Sequence, residues 1–190
     1  MKTQISTLLA VLTFLLFSCV DVMDQTIFIP DKDDPNLPAY TEWGYNSFGA
    51  EYDGYYFLMS DGITPCEITY SNNQLQFLLH GITHNGDKMK LLFIFPSEPM
   101  SDYKDLALLH DREINLSANN CTVKIDDTTL QNIEGKLHFK RVQLLRIDGL
   151  LERAILSGVF ELSFMQDGVS SIISNGRFDL GITNSVFYYR

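Results

Sequence analysis

Positive charge is scarce in this chain of 190 residues, which has 14 Lys and Arg against 24 Asp and Glu and a formal net charge of −10. A surface with this balance repels phosphate backbones, so nucleic-acid binding is disfavoured. The low positive charge does not indicate disorder, because 45% of the residues are apolar and 20% are charged, as in globular proteins. The length suits one domain of ordinary size.

Long hydrophobic runs are also missing. The apolar run Leu8–Phe17 has about ten residues, roughly half of what a membrane-spanning helix needs. Lys2 precedes it, so the start of the chain has the charged and apolar regions of a secretory signal. We therefore predict that residues 1–18 are a signal peptide.

Cysteine is rare, with three residues in the chain. The first, Cys19, follows Leu16-Phe17-Ser18, and this stretch resembles the lipobox of bacterial lipoproteins. The resemblance implies that Cys19 is diacylated and becomes the first residue of the mature protein. Acyl chains contribute about 0.8 kcal/mol per buried CH₂, so they would anchor the protein to a membrane without a spanning helix. We expect a location in the cell envelope, at the outer membrane, on either its periplasmic or its surface face.

The other two cysteines, Cys66 and Cys121, lie on the apolar faces of predicted strands. In an oxidising compartment they could form a disulfide, which would stabilise the fold by about 4 kcal/mol. The alternative is two separate buried thiols that act as small apolar side chains. The sequence leaves both open.

The spacing of acids, prolines and alternating apolar residues predicts the domain organisation. Residues 19–40 contain several Asp and Pro residues and are predicted to be an extended spacer. Residues 41–190 are predicted to form a single β-domain. Apolar and polar residues alternate along Gln74–Gly81 and in several later stretches, and turn dipeptides such as Asn85-Gly86 separate these stretches.

This pattern predicts an antiparallel all-β fold, either a β-sandwich or a flattened barrel of about nine or ten strands. Met89–Phe95 has apolar residues at both odd and even positions, which predicts a central strand covered on both faces. At most one short helix is expected, within Ser101–Asp111 and with Ser101 as its N-cap.

Three stretches near the two ends of the predicted domain resemble a group of small secreted lipoproteins of Gram-negative bacteria. Asn46-Ser47-Phe48-Gly49 is similar to that group's NTFG-like first strand. Ile155–Glu161 resembles its SGTFEF strand, and Asn175–Asp179 its closing DGRFD strand. The resemblance implies a β-rich lipoprotein domain and supplies no catalytic residues. We expect Phe178 to point inward. We expect its charged neighbours Arg177 and Asp179 to lie on the outer face and to pair with neighbouring strands.

Motifs for catalysis and for metal or cofactor binding are absent from the sequence. There is no Gly-x-Ser-x-Gly motif and no phosphate-binding glycine loop. His80 and His84 lie in a predicted strand and turn, where four residues span roughly 13 Å, too far to share one metal. We therefore predict no catalytic residue, no metal and no cofactor. Glu51 and Asp53 form a close pair of acids, which keeps glycoside hydrolysis open as a minor alternative.

Aromatic residues are concentrated between Tyr40 and Phe57. Four of them are candidate ligand-binding residues, because Trp and Tyr rings stack on sugars: Trp43, Tyr45, Tyr55 and Tyr56. In the alternative interpretation the aromatic residues are structural, with Trp43 and Tyr45 holding the spacer against a core that contains Phe48, Tyr52 and Phe57.

Together these features predict a membrane-anchored lipoprotein that is not an enzyme. It would bind a glycan or an envelope protein, or serve as an accessory module. The main alternative is a structural or assembly lipoprotein without a ligand site.

Overall fold

The computed structural model describes residues 26–60, 62–166 and 168–190. It is all-β, as the sequence predicts, and its described part contains twelve strands and one short helix. The strands are β1 Ser47–Tyr52, β2 Tyr55–Leu58, β3 Cys66–Ser71, β4 Gln74–Thr83, β5 Lys88–Pro96, β6 Arg112–Ser117, β7 Thr122–Ile125, β8 Thr128–Thr129, β9 Gln131–Ile147, β10 Leu150–Gln166, β11 Val169–Ile182 and β12 Phe187–Tyr189.

Hydrogen bonds join these strands into one open sheet with the order β6-β9-β10-β11-β1-β2-β4-β5-β7-β8, and β3 and β12 extend from β4. The pairing is antiparallel except between β3 and β12. The number exceeds the predicted nine or ten; the two shortest strands, β8 and β12, have only two and three residues, too few to show an alternating pattern.

The sheet folds over on itself as a sandwich, since side chains of strands that are far apart in the sheet order meet in the core. Phenylalanine rings from β4 and β5 then meet rings from β9–β11: Phe77 lies 5.6 Å from Phe139 and 5.1 Å from Phe178 between ring centroids, and Phe93 lies 5.6 Å from Phe160. Tilted and edge-on contacts of this kind are favourable for aromatic pairs. These rings form the centre of the core.

The strand β5 differs from its prediction. It does lie inside the sheet, between β4 and β7. However, Leu92 and Ile94 on its outer face are half-buried rather than covered. This run of mostly apolar residues therefore marks a central strand whose second face is partly open to solvent.

The one helix is a 3₁₀ helix, Tyr103–Leu109, within the predicted stretch. Its N-cap is Asp102 rather than Ser101. Ser101 instead donates its backbone N–H and its hydroxyl to the Asp105 carboxylate, at 2.8 and 3.0 Å. The helix buries Leu106 and Leu109 together with its first residue, while the following residue, His110, stays exposed.

Residues 26–46 form an N-terminal segment that is folded on the domain, which corrects the predicted spacer over 26–40. Ile27 donates its N–H to the Tyr45 carbonyl at 2.8 Å, and Ala39 donates to the Ile29 carbonyl at 2.7 Å. Leu37 is fully buried. The acids and prolines suggested an extended chain, but contacts with β11 fix this part of it. The predicted signal peptide, residues 1–18, and the predicted lipidation site Cys19 lie outside the described residues.

Candidate functional site

A buried carboxylate on β11 holds the N-terminal segment. Asp179 is 1% exposed and accepts five hydrogen bonds. Two come from the hydroxyls of Thr41, at 2.6 Å, and Ser157, at 3.0 Å. Three come from the successive backbone amides of Trp43, Gly44 and Tyr45, at 3.1, 2.7 and 3.3 Å. We call these six residues the Asp179 cluster.

The cluster satisfies a charge that would be costly to bury alone. Gly44 has a φ of 74°, a conformation that glycine adopts without strain, and this turn aims three consecutive N–H groups at one carboxylate. Because every partner is a donor of the protein itself, the cluster is structural.

The three stretches that resemble the lipoprotein group meet at this cluster. In the sheet, Ser47 on β1 pairs with Asp179 on β11, which pairs with Ser157 on β10. A Cβ at Gly49 would lie 2.5 Å from Cδ of Pro38, so the glycine allows the N-terminal segment to approach β1. The motif residues therefore have packing roles here.

The two charged neighbours of Phe178 bind the N-terminal segment rather than adjacent strands alone. Phe178 points into the core, as expected. The Arg177 guanidinium lies 2.8 Å from the Asp31 carboxylate, and both side chains are largely buried. Backbone N–H groups of Asp33 and Asp34 also donate to Asp31 and, with Arg177, hold the pKa of that carboxyl below its usual range.

The aromatic-rich stretch divides between three environments. Phe48 and Phe57 are fully buried, and Tyr52 packs partly against Phe164 with centroids 6.0 Å apart. The backbone amides of Trp43 and Tyr45 are bound by Asp179, but the Trp43 side chain is 70% exposed. Trp43 therefore does hold the N-terminal segment against the domain, but through its backbone N–H and not through its ring.

Tyr55 and Tyr56 line a separate cavity, which we call the aromatic pocket. Its volume is about 320 Å³ and its wall is mostly apolar. The wall consists of Tyr52, Asp53, Tyr55, Tyr56, Thr83, His84, Asn85 and Asp87, at the β1–β2 and β4–β5 turns. Trp43 and Tyr45 are not among these residues, so the structure separates the four predicted ligand-binding residues into two pairs.

The Tyr55 ring is the most prominent feature of the aromatic pocket. It is stacked on the His84 ring, with centroids 4.0 Å apart and planes inclined by 14°, and the Tyr55 side chain is still 57% exposed. By contrast, the Tyr56 hydroxyl contacts Asp34 and Asn36 of the N-terminal segment, at 3.2 and 3.0 Å. Tyr55 therefore offers a free aromatic surface, whereas Tyr56 also supports the N-terminal segment.

Three further cavities have walls that suit small organic ligands less well. The largest, about 550 Å³, is mostly polar and lies between the start of the N-terminal segment and the 62–66 and 181–186 stretches. A cavity of about 390 Å³ beside Tyr70 and Tyr189 is also mostly polar. A groove of about 430 Å³ crosses the outer face of β9–β11, where Lys136 is paired with Glu113 at 3.1 Å.

The close acids Glu51 and Asp53 are both engaged by β11. Glu51 accepts from the hydroxyl of Ser174 at 3.3 Å and from the side-chain amide of Asn175 at 2.9 Å. Asp53 accepts from the Ile172 backbone N–H at 2.8 Å. These bonds give both carboxylates a role in sheet pairing.

The histidines are placed separately. Nε2 of His80 lies 3.2 Å from the Glu67 carboxylate, and burial lowers the pKa of His80 below its usual value. His84 belongs to the aromatic pocket, and His138 contacts Asp111 at 3.0 Å. Within the described part of the chain, no three His, Cys, Asp or Glu side chains are grouped as metal ligands would be.

Cys66 and Cys121 are free, buried thiols in this structure, which favours the second of the two alternatives. Strand pairing runs from Cys66 through Leu79 and Leu91 to Ile125, four residues beyond Cys121. Three strand spacings amount to roughly 14 Å, twice the Cα separation that a disulfide tolerates. Burial raises the pKa of the Cys66 thiol to about 12, so this thiol stays protonated at neutral pH.

In the ranges 26–60, 62–166 and 168–190 there is no helix that is long and apolar enough to cross a membrane. Comparison of the chain with protein-family models, with curated proteins and with solved structures found no match.

Proposed function

We propose that this chain is a lipid-anchored protein of the bacterial envelope whose β-domain binds a saccharide in the aromatic pocket, without cleaving it. The observation that carries the binding function is the Tyr55 ring, held on His84 and still more than half exposed. The observation that supports the anchor is the sequence of residues 1–19, with its short apolar run and its Ser18-Cys19 pair.

The aromatic pocket has the chemistry that sugar rings require. The C–H face of a pyranose packs on an aromatic plane, while its hydroxyls bond with nearby polar groups. Here the plane is Tyr55, and the polar groups are those of Asp53, Thr83, Asn85 and Asp87. Stacking on His84 fixes the Tyr55 ring in place, so little side-chain entropy is lost when a ligand binds.

A titration with saccharides tests the binding function. The purified protein would be titrated by calorimetry with cello-oligosaccharides, malto-oligosaccharides and N-acetylglucosamine oligomers. We expect at least one of these probes to bind, and Tyr55→Ala to weaken that binding about tenfold or more. The truncation should leave stability within about 0.5 kcal/mol, because the side chain is exposed.

The matched control is Tyr189→Ala. Tyr189 is 65% exposed and stacked on Tyr70, but it lies beside a different cavity. It should leave saccharide binding unchanged. Loss of binding in Tyr189→Ala but not in Tyr55→Ala, or no heat with any probe, would contradict the proposed site.

Metabolic labelling with a palmitate analogue tests the anchor. The wild-type chain should carry label and float with membranes, and Cys19→Ala should do neither. Cys66→Ala is the control, since this thiol is buried in β3 and lies 47 positions after Cys19 in the sequence. An unlabelled wild-type chain would contradict lipid anchoring and leave the saccharide result standing.

A further inference from the structure

An exposed apolar surface lies where the N-terminal segment begins. Ile27, Phe28 and Ile29 are consecutive and are 36%, 40% and 39% exposed, and the Trp43 side chain is 70% exposed. We call these four residues the apolar patch. Consecutive large apolar residues seldom remain in water unless they serve an interaction.

The contacts of the N-terminal segment place the backbone of both parts of the patch, Ile27–Ile29 and Trp43, beside the same end of β11. The Trp43 backbone is bound to Asp179, and Asp31, two residues after Ile29, is bound to Arg177. Arg177 and Asp179 are two residues apart on the outer face of β11. Ile27 is also hydrogen-bonded to Tyr45, two residues from Trp43. The patch therefore covers this part of the outer face of β11.

We infer that the apolar patch rests on the surface of a phospholipid bilayer; this inference depends on the proposed lipid anchor at Cys19. Six residues, 20–25, separate Cys19 from Thr26, the first described residue, so the connection has seven Cα–Cα steps. Even a fully extended connection of this length spans only about 25 Å. The anchor therefore keeps the beginning of the patch close to the membrane, whichever way the domain turns.

The composition and charges of the patch suit a bilayer interface. Trp is enriched at membrane–water boundaries, because its ring is apolar and its N–H remains hydrated. Two acids beside the patch are neutralised: Asp31 by Arg177, and Glu42 by Arg141 at 3.2 Å. Docking would orient the domain with residues 177–179 of β11 nearest the membrane and would add to the attachment by the acyl chains.

The single tryptophan of the chain makes the contact measurable. The lipidated protein would be reconstituted into vesicles of phosphatidylethanolamine and phosphatidylglycerol, with and without brominated acyl chains. We expect the Trp43 emission to shift to the blue on reconstitution and to lose most of its intensity in brominated vesicles. The variant Phe28→Glu should remain attached by its lipid but lose both effects.

A control variant moves the probe away from the patch. Trp43→Phe combined with Tyr55→Trp places the tryptophan at the β1–β2 turn. There Tyr52 pairs with Ile173, six residues from Asp179 and roughly 20 Å along β11. Its emission should not be quenched by brominated lipid.

The outcomes separate the two proposals. If the chain is not lipidated and does not float with vesicles, the anchor itself is wrong. If the lipidated protein floats and Trp43 emission is unchanged, the anchor stands and membrane docking is overturned. A blue shift that depends on protein concentration in detergent, without vesicles, also overturns it, because the patch would then bind a second copy of the chain.

Discussion

The Asp179 cluster and the aromatic pocket are built from the same aromatic-rich stretch, and yet their polar groups are used in opposite ways. In the cluster, one buried carboxylate receives five protein donors and leaves no position for a ligand. In the aromatic pocket, a stacked ring is exposed beside polar groups at two turns. The comparison shows that aromatic content alone does not distinguish a structural cluster from an open pocket; the local supply of donors and acceptors does.

The largest expected effect is on the cluster side of this comparison. Asp179→Asn replaces an acceptor with an amide group that would face N–H donors, and buried donors without partners cost about 1–3 kcal/mol each. We expect the free energy of unfolding in urea to fall by about 3 kcal/mol or more.

The control for this variant is Asp126→Asn. Asp126 also accepts a backbone hydrogen bond, from Lys90 at 3.0 Å, but it is exposed, so the loss should be less than about 1 kcal/mol. Equal effects of the two substitutions would refute the special role of the cluster. If Asp179→Asn does not fold, the milder Ser157→Ala removes one donor and should cost about 1 kcal/mol.

An intermediate effect is expected from Arg177→Met, which removes the partner of Asp31. The pair is short and largely buried, so we expect a loss of about 1 kcal/mol in the same assay. Arg141→Met removes the more exposed pair with Glu42 and should cost less than about 0.5 kcal/mol. A larger effect from Arg141 would show that the Asp31 contact does not secure the N-terminal segment.

The smallest effect concerns the response of the N-terminal segment to acid. The pKa of Asp31 is lowered in the folded protein, chiefly by backbone donation from Asp33. The folded state therefore binds this proton less readily than the unfolded state. The stabilisation is complete above the usual pKa and is lost as the pH falls through the lowered one.

Urea unfolding of the wild type and of Asp31→Asn at a series of pH values from about 5 to about 2 would measure this contribution. The difference in stability between the two proteins should shrink toward acid. A constant difference would mean that the titration of Asp31 is not linked to folding.

Much of the fold could be predicted because half-buried strands alternate visibly. The stretch that became β4 shows the rule, since Leu75, Phe77 and Leu79 are buried and the residues between them are not. Leu92 and Ile94 show the limit of this rule. In a sequence, apolar residues on the outer face of a strand form the same pattern whether that face is buried or half exposed.

The candidate site was less predictable than the fold. The sequence predicts both Tyr55 and Trp43 as ligand-binding residues, and only the three-dimensional structure separates them. The sequence argues against a metal site at His84 but does not show that its place in the turn after β4 brings it onto Tyr55. No local pattern reveals such a partner, because the two residues are joined through the β2–β4 ladder.

The N-terminal segment is folded on the domain, whereas its sequence predicts an extended spacer, and the reason is related. Its acids and prolines do favour an extended chain, as the composition suggests. The groups that fix it, Arg177 and Asp179, lie more than 130 positions later in the sequence. Long-range contacts of single side chains leave no periodic trace, so they could not be inferred from the composition of residues 19–40.

The distance in sequence between Trp43 and Asp179, 136 positions, has a consequence for the order of folding. The N-terminal segment cannot be secured until β11, which comes late in the sequence, is in place. During synthesis the beginning of the domain must therefore wait for its end, and contacts of such long range slow folding. A truncated chain that stops before β11 would lack its final strands and also the contacts of Arg177 and Asp179 with the N-terminal segment.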